Sequence, residues 1–140
     1  MPQNEGSGSV MPMVTVPSVD ETRDFWVEKL GFEQRMGVLG KDGKLDFVNV
    51  DLAGASLMFT RGEAANGSGP ATGPVEFYVN VADVDALHAR VEKAGVESTE
   101  PLTDQWWGDR TFKVTDPNGY RIWFATSVAE AVPPPGTKIV

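Results

Sequence analysis

A carboxylate and a phenol stand two residues apart in Val75-Glu76-Phe77-Tyr78-Val79-Asn80-Val81, a run whose composition suits a strand. Alternation puts Glu76 and Tyr78 on one face. A carboxylate there could pair a cationic ligand, abstract a proton if burial raised its pKa, or sit solvated at a rim. Other catalytic chemistry has little to build on. The chain has no cysteine, which removes thiolate nucleophiles, thiolate metal sites and disulfides. Its one histidine, His88, lies in a helical pattern with Val84, Leu87 and Val91 that leaves it on or beside the solvent face. Neither a Ser-His-Asp nor a Cys-His system is supported, so a carboxylate, Glu76 or Asp46, is the remaining ordinary catalytic option.

Binding chemistry is better represented. If Leu57 and Phe59 pack on a helix, alternation turns Ser56, Met58 and Thr60 the other way, and the same logic in the last strand turns Arg121 and Trp123 away from Ile122 and Phe124. Phe47 and Asn49 share a face in Asp46-Phe47-Val48-Asn49-Val50. Trp106 and Trp107 adjoin in an irregular segment, where one indole can anchor the loop while the other meets a ligand. The ligand-binding set expected is Phe47, Asn49, Met58, Glu76, Tyr78, Trp106, Trp107 and Trp123, of which Phe47, Asn49 and Trp107 are included because their segments resemble those of a known ligand-binding family, with no residue assigned to catalysis or to a metal. Each is also a plausible packing residue, since aromatics in strands pack first. Arg110 is expected to pair with a carboxylate or carbonyl of its own loop.

These residues need a frame, and the chain supplies the same one twice. A strand over Met11 to Val16 leads through the capping sequence Ser18-Val19-Asp20-Glu21 to a helix carrying Phe25, Val27 and Leu30 that stops at Gly31. Strands over Phe32 to Leu39, Leu45 to Leu52 and Ser56 to Arg61 follow, the first two joined at Asp42-Gly43. After a Gly-rich stretch come a strand over Val75 to Val81, a helix over Asp83 to Ala94 closed by Gly95, a weak strand near Glu97 to Thr99, and strands over Arg110 to Thr115 and Tyr120 to Thr126 flanking Asp116-Pro117-Asn118-Gly119. Both halves read β-α-β-β-β. A shift of about 65 residues lays Asp20 on Asp85 and Met58 on Trp123, which points to an internal duplication. The organisation expected is a disordered start (1–10), a first module (11–61), a flexible linker (62–74), a second module (75–126) and a C-terminal tail (127–140) rich in proline.

Twelve basic and twenty acidic side chains give a charge of −8, which disfavours nucleic acid and anionic membranes as partners and either favours cationic or neutral ligands or serves only to keep the protein soluble. No run approaches a membrane span or a signal sequence, so a soluble cytoplasmic protein is expected.

The segment Val16-Pro17-Ser18-Val19-Asp20 through Phe25-Trp26 and Leu30-Gly31-Phe32 resembles the opening of glyoxalase, bleomycin-resistance and extradiol dioxygenase proteins, the vicinal-oxygen-chelate superfamily. Val81-Ala82-Asp83-Val84-Asp85-Ala86-Leu87, Ala94-Gly95-Val96, Trp107-Gly108-Asp109-Arg110-Thr111-Phe112 and Asp116-Pro117-Asn118-Gly119 are similar to the bleomycin-resistance arrangement, over residues 11 to 126 in all. The resemblance implies an α+β fold of two tandem βαβββ modules whose curled mixed sheets surround a concave cleft, and a homodimer with clefts at the subunit interface. Metal-using relatives take ligands from positions that align here with Met11, Met58, Glu76 and Trp123. One carboxylate cannot satisfy Zn, Ni, Fe or Mg, and thioethers are poor ligands for all of these. No metal and no cofactor are therefore expected. The function implied is metal-independent binding and sequestration of a bulky, partly aromatic antibiotic or natural product. The alternatives are a metal-independent isomerase or lyase using Glu76 or Asp46 as base, and a module whose cleft serves a protein partner or nothing.

Overall fold

The computed structural model describes residues 9–62 and 75–140. Most of the expected disordered start and all but residue 62 of the expected linker lie outside the described residues. In the first module β1 (Met13–Val16) buries Val14 and Val16 and exposes Met13 and Thr15, the alternation of a half-covered strand. Ser18 then caps α1 (Val19–Asp24), its Oγ accepting from the Glu21 amide at 3.1 Å. The helix widens into a π-helical turn over Phe25–Lys29, where the Leu30 amide donates to the Phe25 carbonyl five residues back. In that turn the neighbours Phe25 and Trp26 both point inward and are buried. Gly31, at φ +91°, ends the helix, and β2 (Glu33–Leu39), β3 (Leu45–Leu52) and β4 (Ala55–Arg61) follow.

The second module repeats the order with β5 (Glu76–Asn80), α2 (Val84–Lys93), β6 (Glu100–Asp104), β7 (Asp109–Thr115) and β8 (Arg121–Ser127). Asp83 caps α2 through Oδ1, which accepts from the Ala86 amide at 3.0 Å. Each module forms a four-stranded mixed sheet, β1-β4-β3-β2 and β5-β8-β7-β6, parallel only in its first pair. The duplication extends to register. Met13 lies opposite Met58 and Tyr78 opposite Trp123, and each member of the second pair is 65 positions beyond its counterpart.

One sequence expectation needs correction and another refinement. The weak strand is not at Glu97 to Thr99 but at Glu100–Asp104, where Pro101 is accommodated because β6 is an edge strand with a register shift between Glu100 and Thr103. His88 is half-buried beside the solvent face and not free on it: its ring stands edge-on to Phe112 at 5.0 Å and its Nδ1 lies 3.1 Å from a Glu92 oxygen.

One face of each sheet packs on its helix, and the two packed faces share a core. Val16, Trp26, Leu30, Phe32, Val48 and Phe59 fill one end, and Val79, Val91, Phe112, Ile122 and Phe124 the other. Burying a side chain of this size contributes about 1.5–3 kcal/mol. Trp26 sits at the join, with ring centroids 5.2 Å from Phe59 and 6.2 Å from Phe77 of the other module.

Candidate functional site

The faces turned away from the helices hold nearly all the residues singled out by sequence. In the first sheet Leu57, Phe59, Val48 and Val50 are buried, so Met58, Phe47 and Asn49 lie on the open side, as alternation predicts. Asn49 stands between Met36 of β2 and Met58 of β4 in register, and Met13 lies beyond Met58 on β1. The Asn49 amide is pinned: its Nδ2 donates to Ser56 Oγ at 3.0 Å and to the Leu57 carbonyl at 2.9 Å, with the Met11 sulfur 3.7 Å away. This face is apolar and sulfur-rich.

The open face of the second sheet is aromatic and charged. Trp123 donates its indole hydrogen to Glu76 Oε1 at 2.6 Å, and its ring lies under Lys113 Nζ at 3.9 Å from the centroid. Glu76 also has Lys113 at 3.8 Å and Arg121 at 3.7 Å. Beside it Trp107 donates Nε1 to the Tyr78 hydroxyl at 2.9 Å, and Tyr78 in turn donates to Asp109 Oδ2 at 2.5 Å. Burial, followed by the Asp109 carboxylate, pushes the Tyr78 phenol above its ordinary pKa. Tyr78 and Trp107 have their ring centroids 5.8 Å and 6.2 Å from that of Trp123, so three aromatics converge.

Of the two tryptophans in the loop, Trp107 joins this group. Trp106 stands nearly perpendicular to it at 5.6 Å, is 44% exposed and makes no hydrogen bond to the group. The loop is strapped from behind by the chain after β8. Val128 and Ala129 amides both donate to the Gly108 carbonyl, and the Val132 amide donates to that of Trp106 at 2.7 Å. Gly108 is needed there: it has φ +100°, and a Cβ would collide with the Ala129 carbonyl oxygen.

Sequence reasoning missed Met13, Met36, Lys113 and Asp109, although the 65-residue shift that pairs Met58 with Trp123 also pairs Met13 with Tyr78. Arg110 pairs across its own loop with Asp104 at 2.7 Å, as expected, and also outside it with Asp85 of α2 at 3.0 Å. Asp46 is not on the open face: alternation in β3 turns it opposite to Phe47 and Asn49, and Arg61 Nε binds it at 2.9 Å. The same Arg61 hydrogen-bonds Asp42 and holds that carboxyl down at about 2. Among the described residues no three His, Cys, Asp or Glu side chains are grouped to hold a metal. No helix of the described residues is long and apolar enough to cross a membrane.

The larger clefts lie elsewhere. One of about 570 Å³ separates the edge strands β1 and β5, lined by Met13, Thr15, Phe77 and Tyr120 among others. The open faces, by contrast, are broad and one-sided: Met13 and Met36 are 63% and 52% exposed, and Tyr78 is 42% exposed.

Comparison with known proteins agrees with this architecture. Residues 8–124 match the family model of the Glyoxalase/Bleomycin resistance protein/Dioxygenase superfamily. The chain belongs to that superfamily. An uncharacterized protein of Mycobacterium bovis is 29% identical over 119 residues, covering 80% of this chain and 78% of that one. Among solved structures, TioX from Micromonospora sp. ML1 superposes with a TM-score of 0.68 at 27% identity, covering 86% of this chain and all of TioX. The bleomycin-binding protein of bleomycin-producing Streptomyces verticillus, solved with copper(II)-bleomycin, superposes with a TM-score of 0.61 at 26% identity, covering 91% and 98% of the two chains. A glyoxalase/bleomycin resistance protein/dioxygenase from Alicyclobacillus acidocaldarius shares the fold at 19% identity and a TM-score of 0.68.

Proposed function

We propose that this protein binds and sequesters a bulky, partly aromatic natural product or antibiotic in the cytoplasm, without a metal and without altering the compound. The observation that carries the reading is the pair of unlike open faces. One is a thioether and phenylalanine wall, the other a group of Tyr78, Trp107 and Trp123 edged by Lys113, Arg121 and Glu76. Polarizable sulfur and indole surfaces suit a flat π-system, each aromatic contact adding about 0.5–1.5 kcal/mol beyond burial. The bleomycin-binding neighbour supports a small-molecule ligand.

Neither face encloses a ligand alone, so the site is completed in a homodimer, the methionine face of one chain closing over the aromatic face of the other. Exposed apolar side chains such as Met13, Met36, Val38 and Tyr78 then become covered.

The rival reading, a carboxylate-base isomerase or lyase, has less to stand on. Glu76 is already engaged by the Trp123 indole and two cations, and Asp46 is engaged by Arg61 on the other side of its sheet. Titration of chelator-treated protein with cationic and polycyclic antibiotics, followed by tryptophan fluorescence, separates the two, with each compound recovered for mass analysis. Saturable quenching with the compound recovered intact is expected. Recovery of a transformed compound at catalytic turnover overturns the proposal.

A further inference from the structure

We propose that the open face of the first sheet is also a site for a soft, monovalent d¹⁰ cation, Cu(I) or Ag(I), held by methionine thioethers. The chain has five methionines, and four of them, Met11, Met13, Met36 and Met58, gather on this one face. Met36, Asn49, Met58 and Met13 follow one another across β2, β3, β4 and β1 in register, so neighbouring members are one strand spacing apart, about 4.8 Å. The Met11 sulfur lies over the middle of that row, 3.7 Å from the Asn49 amide. A methionine side chain is long enough to bring sulfurs from either side of Asn49 to a common point above it.

Apolarity alone does not account for the choice of residue. An exposed strand face that only has to be apolar is built more stably from Val, Ile or Phe, which favour strands and lose less rotamer freedom than methionine. Met11, Met13 and Met36 are 42%, 63% and 52% exposed on the single chain and face the cleft of the proposed dimer, so their sulfurs are presented to whatever small solute enters it. What methionine supplies that those residues lack is a polarizable thioether donor, and thioethers select Cu(I) over the hard divalent ions. No thiolate competes for such an ion, because the chain has no cysteine, and His88 is occupied with Glu92 and Phe112 in the other module. The inference does not depend on the organic ligand, since it concerns the sulfur atoms and not the apolar area.

The test uses the full chain labelled with ¹³C at the methionine methyls and titrated with silver nitrate in chloride-free buffer. The expected result is saturable movement of the methyl signals of Met36, Met58 and at least one of Met11 and Met13, at about one ion per chain and a Kd of roughly micromolar order, while Met1 stays in place. The double variant Met36→Leu, Met58→Leu keeps the apolar face and is expected to weaken Ag(I) binding at least tenfold. Cu(I) supplied under ascorbate with a chromophoric chelator should follow the same order. Absence of saturation up to 100-fold excess of ion, parallel movement of Met1, or undiminished binding in a folded double variant each overturns the proposal. Organic-ligand binding measured on the wild type without added ion tests the sequestration reading by itself, so the two ideas fail separately.

Discussion

The indole nitrogen of Trp26 donates to Asp116 Oδ2 at 3.1 Å, joining the first helix to the β7–β8 turn across the boundary between modules. Both residues are buried, and Asp116 Oδ1 also accepts from the amides of Asn118 and Tyr120 at 2.9 Å each. Asn118 reinforces the joint by donating Nδ2 to Thr22 Oγ1 at 2.8 Å. The two modules are thus locked by a turn whose composition alone marks it only as a turn. Replacing Asp116→Ala strands one buried indole N–H and two amides, and should cost about 2–4 kcal/mol in urea unfolding. A loss under about 0.5 kcal/mol would show that the joint contributes little.

Asp116 also sets a pH dependence. Burial, only partly offset by the hydrogen bonds it accepts, raises its pKa above the ordinary carboxylate value. The folded state therefore holds this proton more tightly than the unfolded state does. The group's contribution to stability is full below the unfolded pKa and is lost as pH rises through the folded one. Relative to Asp116→Asn, which does not titrate, the wild type should lose stability as pH rises from about 4 through that window, with a slope no steeper than about 1.4 kcal/mol per pH unit. Thermal unfolding of the two proteins across this range checks the sign, and an advantage that grows with pH refutes it.

Tyr78 and Tyr120 are the chain's two tyrosines, and both are pushed above the usual phenol value, in each case by burial first and then by a nearby carboxylate, Asp109 or Asp116. Spectrophotometric titration should therefore show tyrosinate forming at higher pH in the folded protein than in the same chain unfolded in urea, and coincident curves would contradict this. Tyr78→Phe removes the acceptor of the Trp107 indole, and should change tryptophan emission and cost about 0.5–1.5 kcal/mol.

Much of this face was legible because β3, β4, β5 and β8 alternate between buried and open residues, and alternation needs only the sequence. That reasoning places Met58, Asn49, Tyr78 and Trp123 on the open side, where they stand. It gives no purchase on β2, in which no residue is buried. There a register shift between Gln34 and Met36 decides which side chain meets Asn49. Nor does alternation reveal bonds that depend on two distant segments meeting, such as Trp26 with Asp116 or Tyr78 with Asp109. The misplacement of β6 has a simple origin, because Pro101 reads as a strand breaker until the strand is known to lie at an edge.

The strap behind the tryptophan loop yields another expectation. Gly108→Ala forces a Cβ into the Ala129 carbonyl at a backbone angle that alanine rarely adopts, so the segment after β8 must move. Amide exchange at Val128, Ala129 and Val132 should accelerate by at least tenfold, with stability lowered by about 1–3 kcal/mol. Unchanged protection at these three amides would mean that the strap is not held through Gly108.

The proposed site joins the methionine face of one chain to the aromatic face of another, and mixing two crippled chains tests that directly. Met58→Glu damages the first face and Trp123→Ala the second; each pure variant should lose binding of the compound that quenches the wild type most strongly. Refolded together from denaturant, they form mixed dimers in which one cleft has both faces intact, so about a quarter of the wild-type binding capacity should return. If mixing restores nothing while the mixed dimers are present, the ligand is held within one chain and the shared-cleft account is wrong.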